Sequence, residues 1–63
     1  MEKTKVIREK RLKLGMTQEE LAEKSGVSRA TIVGLERGQT EITTTKTLEK
    51  LAKVLNCKIA DFL

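Results

Sequence analysis

Apolar residues recur along this chain at spacings of three and four, the period of a helix with one buried face. A first segment, about Lys3 to Leu14, sets Ile7, Arg11 and Leu14 on one stripe with Val6 beside it. An arginine on such a stripe needs a partner. The second segment runs from about Gln18 to Ser25: Thr17 is a good N-cap, Glu20 stands three residues on as a capping box requires, and Leu21 and Ala22 face inward. The third opens at Ser28, an N-cap after the apolar Val27, and buries Ile32 and Leu35. Its other face carries Arg29, Ala30, Val33 and Gly34. After a loop from about Arg37 to Thr43, Leu48, Leu51, Ala52 and Leu55 make the core stripe of a fourth segment, about Thr45 to Leu55. Gly15, Gly26 and Gly38 each stand where a helix would end in a left-handed residue, and Asn56 is suited to do the same. A last turn brings Ile59, Phe62 and Leu63 back to the core or out to a partner. The expected fold is all-α.

Composition narrows the class. The 63 residues form one expected domain, residues 1–63, with no linker, low-complexity tract or repeat. A chain near this length hides only about 60% of the surface its unfolded form exposes, so its core must be compact. Cys57 is the single cysteine and there is no histidine, which excludes an internal disulfide or a thiolate zinc site and leaves no cofactor to expect. Cys57 reads as a small buried hydrophobe, and Met16 as packing. Without a catalytic histidine or a phosphate-binding glycine loop, the pattern argues against an enzyme, and no small-molecule ligand is expected. The longest uncharged runs are far shorter than the ~18 apolar residues a membrane span needs, and residues 1–13 are charged where a signal peptide is apolar. A cytoplasmic protein is expected.

The net charge is +4, distributed as +4 over residues 1–16, −2 over 17–36 and +2 over 37–63. A basic balance suits a polyanionic partner, though solubility alone explains a charge of this size. Lys3, Lys5, Arg8, Lys10 and Lys13 read mainly as a solvated face with some long-range steering.

The second and third helices, of about eight residues each, are too short to be stable alone, so their value lies in the angle between them. Ala22 is small where they would cross, Gly26 supplies the turn, and Val27, Ile32 and Leu35 anchor the later helix from beneath. Its N-terminal residues are left exposed for base edges. The run Thr17-Gln18-Glu19-Glu20-Leu21-Ala22, then Gly26-Val27-Ser28, Thr31-Ile32 and Leu35-Glu36-Arg37-Gly38, resembles in residue type and spacing the helix-turn-helix repressors of the phage Cro and lambda-repressor kind, the XRE-like family.

The resemblance covers nearly the whole chain. It implies a five-helix lambda-repressor-like domain with the helix-turn-helix at helices 2 and 3, residues 17–36, and helix 28–36 in the major groove. It also implies a homodimer on a pseudo-palindromic duplex operator, here through the C-terminal segment with Ile59, Phe62 and Leu63, and a transcriptional regulator, most simply a repressor. In many such repressors an arginine of helix 1 pairs with the glutamate after helix 3, which here would join Arg11 to Glu36. The chain departs from the family in the loop after helix 3, which commonly has a proline and more basic residues; Glu41 adds a repelling charge there. A competing reading keeps the fold but loses DNA binding, leaving a protein-interaction module with Ile59, Phe62 and Leu63 as its surface.

Each expected contact has its own chemistry. Arg29 is the strongest base reader, because a guanidinium donates two hydrogen bonds to guanine N7 and O6; failing that it clamps a phosphate. Ala30 and the Thr31 methyl are placed for a thymine methyl. Val33 offers a base methyl apolar contact or is simply exposed. Gly34, which costs a helix roughly 0.5–1 kcal/mol relative to alanine, marks either close approach of DNA or an accident tolerated by packing. Gln18, Ser28, Gln39 and Lys46 are the expected phosphate contacts, with Ser28 also the N-cap.

Overall fold

The computed structural model describes residues 5–38 and 44–62. They form α1 (Lys5–Lys13), α2 (Gln18–Ser25), α3 (Arg29–Arg37) and α4 (Thr45–Val54), followed by a 3₁₀ turn at Ile59–Phe62. No strand occurs among the described residues. The all-α expectation is met, but the expected fifth helix is a single 3₁₀ turn. Four residues cannot sustain an α-helical ladder, and a turn this short is the usual setting for i to i+3 bonding. Asp61 N–H donates to the Lys58 carbonyl at 2.9 Å, and its Oδ2 accepts from Lys58 N–H at 3.2 Å.

The helix ends explain where the hydrophobic stripe was misread. Met16 N–H donates to Arg11 O at 3.0 Å and Gly15 N–H to Leu12 O at 3.0 Å, the paired bonds of a Schellman cap, with Gly15 at φ 71°. The chain reverses there, so Met16 enters the core and Leu14 does not. Leu14 is 51% exposed and Leu12 54%, whereas Met16 is buried. The stripe of α1 is therefore Ile7 and Arg11, continued by Met16. Asn56, at φ 56°, closes α4 in the same way: Cys57 N–H reaches Ala52 O at 2.9 Å.

The core gathers Ile7, Met16, Leu21, Val27, Ile32, Leu35, Leu48, Leu51, Ala52, Leu55 and Phe62. Full burial of each large aliphatic side chain favours the folded state by about 1.5–3 kcal/mol. α2 lies against both α3 and α4, α1 against α3 and the 3₁₀ turn, and α4 against that turn. Phe62 is 4% exposed, and Ile59 and Cys57 are half-buried against the same core. Of the two places expected for Phe62, core or partner surface, it takes the core, in the turn packed against α1 and α4; Leu63 lies outside the described residues.

Candidate nucleic-acid interface

The start of α2 is set by local chemistry. Thr17 Oγ1 accepts from Glu20 N–H at 3.0 Å while Glu20 Oε1 accepts from Thr17 N–H at 2.9 Å, so both halves of the capping box form. These bonds hold the Glu20 carboxyl below its ordinary pKa. At the other end Ser25 Oγ donates to Leu21 O at 2.6 Å and accepts from Val27 N–H at 3.2 Å. One hydroxyl therefore ties the last turn of α2 to the first residue beyond Gly26. Sequence reasoning passed over Ser25, although a serine at a helix end before glycine is a signal for such a bond.

Ser28 then caps α3, its Oγ accepting from Thr31 N–H at 3.2 Å and lying 2.8 Å from Thr31 Oγ1. The Ser28 role as N-cap holds, and the same contact occupies the Thr31 hydroxyl. Arg29 and Ala30 are exposed; Thr31 and Val33 are half-buried. Arg29, Val33 and Arg37, four residues apart, run along one side of α3. Gly34 is buried as well, although at about 100° per residue it falls beside Ala30 and Arg37 rather than behind α3 with Ile32 and Glu36.

Beyond Glu36 the site becomes a network. Arg11 Nε donates to Glu36 Oε2 at 2.8 Å, Arg11 Nη2 to Oε1 at 3.0 Å, and Arg11 Nη1 to Met16 O at 2.8 Å. Gln18 Nε2 adds a bond to Glu36 Oε1 at 3.1 Å. The pair expected from the resemblance is thus present, bidentate and buried, with Arg11 7% and Glu36 9% exposed. Burial pushes the Glu36 carboxyl up, but the hydrogen bonds from Arg11 and Gln18 and the charges of Arg11 and Arg8 outweigh it, leaving the pKa below its ordinary value. Donation to the Glu36 carboxylate chiefly sets the Arg11 guanidinium above its own ordinary value, against burial. Among the described residues no buried side-chain polar atom lacks a partner.

This network commits Gln18 differently from the expectation. Its amide braces the end of α3, and since a carboxamide nitrogen carries two N–H groups, one remains for a phosphate. Lys46 is exposed in the first turn of α4, whose N-cap Thr44 accepts from Thr47 N–H at 3.1 Å. Gln39 lies outside the described residues. Arg8 and Arg37, which the sequence reading left out of the site, line one cavity with Arg11, Gln18 and Glu36. The signal available for Arg8 was its three-residue spacing from Arg11, which puts both on one side of α1. Cys57 sits against the core, and burial raises its thiol pKa. No cluster of three metal-ligating side chains occurs among the described residues.

A family model described as helix-turn-helix matches residues 7–62. The chain belongs to this XRE-like helix-turn-helix family. The matched span begins at Ile7 and ends at Phe62, so it contains every residue of the family member's core. Two uncharacterized HTH-type transcriptional regulators of Archaeoglobus fulgidus are 53% and 51% identical to the chain over 55 residues, covering 87% of it and 77% and 76% of themselves. A third, from Methanothermobacter thermautotrophicus, is 62% identical over 34 residues, 54% of this chain and 49% of that relative. No solved structure gives a significant match. For this helix-turn-helix protein no described helix is long and apolar enough to cross a membrane.

Proposed function

We propose that this protein is a sequence-specific duplex-DNA-binding transcriptional regulator, acting as a cytoplasmic repressor by occupying its operator. The helix-turn-helix is α2 with α3, and α3 enters the major groove. The observation that carries the reading is the arrangement of α3 within a helix-turn-helix family member: Ser28, Arg29 and Ala30 are exposed at its start, while Ile32, Leu35 and Glu36 hold it from behind. Arg29 reads guanine, with Ala30, Thr31 and Val33 providing apolar contact and Gly34, beside Ala30, allowing the DNA to come close. Ser28, the free N–H of Gln18, and Lys46 hold phosphates, and Gln39 is proposed with them.

A single copy carries one bidentate base reader, so selectivity calls for a homodimer on a pseudo-palindromic site. With Phe62 inside its own chain, the C-terminal segment has Ile59 and the exposed Lys58, Ala60 and Asp61 to offer a second copy. Half-sites 10–10.5 base pairs apart are the expected signature of that dimer.

Selection of bound duplexes from a random pool, followed by affinity measurements at several salt concentrations, tests the proposal. The expected result is a palindromic consensus whose affinity falls as salt rises, because phosphate contacts release counterions. Flat preference with little salt dependence would overturn it. Arg29→Ala should weaken binding to the selected duplex by about 1–3 kcal/mol and relax one base position, with an unchanged melting temperature because the side chain is exposed.

A further inference from the structure

The cavity beside the buried ion pair is built like a receptor for an anion. Its volume is about 450 Å³ and its walls are Arg8, Arg11, Gln18, Glu36 and Arg37, three guanidinium groups against one carboxylate. Both Glu36 oxygens are taken: Oε2 by Arg11 Nε, Oε1 by Arg11 Nη2 and Gln18 Nε2. The Arg11 charge is likewise paired with Glu36, and three of its five N–H groups go to Glu36 and the Met16 carbonyl. The positive excess is therefore delivered by Arg8 and Arg37, both exposed, and neither makes an ion pair among the described residues. Arg8 is near enough to help hold the Glu36 pKa down. Guanidinium groups match the geometry of phosphate oxygens, and a space several times the ~30 Å³ share of a water molecule admits a phosphate group with solvent.

We propose that this cavity seats one backbone phosphate, held between Arg8 and Arg37, with the Arg11–Glu36–Gln18 cluster as its floor. The inference rests on the DNA-binding reading for the source of the phosphate and adds to it two residues from different helices, α1 and α3. The seat lies where α1, the start of α2 and the end of α3 meet, so a phosphate bound there fixes α3 in the groove from its C-terminal end. Ser28 does so from the other.

The test uses the whole chain with Arg8→Gln, Arg37→Gln and the double variant, measured on the selected duplex over a range of salt. Each single change is expected to weaken binding roughly tenfold, equally for all sequences, as loss of a charged hydrogen bond would. Because the two residues share one phosphate, the double variant should lower the logarithmic salt slope by about 0.9 in total. A fall of about 1.8 would mean two separate phosphates and would overturn the shared seat. Unchanged affinity and slope in the double variant, with Arg29→Ala still weakening binding, would overturn the seat and leave the DNA reading standing. Inorganic phosphate is titrated in parallel, followed by the Nε–H resonances of Arg8 and Arg37. Should wild type fail to bind any duplex, the DNA reading falls with the backbone source, and a phosphate shift at these two resonances alone would then assign the cavity to a free anion.

Discussion

Arg11→Ala is expected to cost the fold about 3–5 kcal/mol, because it leaves the Glu36 carboxylate buried without its partner. A chain of this length has a total stability of roughly 3–9 kcal/mol, so the variant should be largely unfolded at moderate temperature. Thermal or urea unfolding followed by circular dichroism measures it. Replacing both partners, Arg11→Met with Glu36→Leu, should recover much of the loss, since a matched apolar pair no longer strands a charge. Recovery should stop short of wild type because the Met16 carbonyl loses its Arg11 donor. A single variant as stable as wild type would show that the ion pair does not hold α1 to the end of α3.

The same pair predicts an acid limb. The Glu36 pKa is depressed in the folded protein, so its contribution is fully present above the ordinary carboxylate value of 4.5 and is lost as pH falls through the lower folded value. Stability should therefore decline below about pH 4.5, the ordinary value, and the decline should be shallower in the double apolar variant. An identical acid limb in the two proteins would place its origin elsewhere.

The second large effect is expected at Ile32, which is fully buried beneath the exposed start of α3. Ile32→Ala removes core atoms and leaves a cavity, at about 2–5 kcal/mol. At ~4–8 °C per kcal/mol for a domain of this size, the melting temperature should fall by roughly 8–40 °C. DNA binding should fall with the folded fraction and return on cooling toward the temperature of maximum stability. Arg29→Ala, only three residues distant, should behave oppositely, with weak binding at full stability. If Ile32→Ala melted like wild type, the core placement of that side chain would be in error.

How much of this was legible in the sequence depended on the range of the interactions. The bounds of α2 were readable because Thr17, Glu20 and Gly26 act on backbone groups within one turn of themselves. The left-handed residues Gly15, Gly26, Gly38 and Asn56 were readable for the same reason. Leu14 was misread because periodicity does not reveal where a helix stops, and a reversal at Gly15 hands its place to Met16. Arg11 and Glu36 lie 25 residues apart, and only the family pattern joined them before the fold did. Arg8 and Arg37 acquired a common site only through the convergence of α1 and α3, which no local spacing encodes. Phe62 looked equally suited to core or partner until the packing of α4 and the 3₁₀ turn enclosed it.

The inside and outside of α3 answer to different demands. Ile32, Leu35 and Glu36 are held by the rest of the chain, whereas Arg29 and Ala30 project into solvent from a start already capped by Ser28. Exposed substitutions away from such features usually change stability by less than about 0.5 kcal/mol. Duplicated copies of this gene can therefore diverge at positions 29 and 30 without passing through an unfolded ancestor. Under the proposed DNA-binding role, a new sequence preference is within reach of one or two codon changes, while the inward face has to be inherited intact.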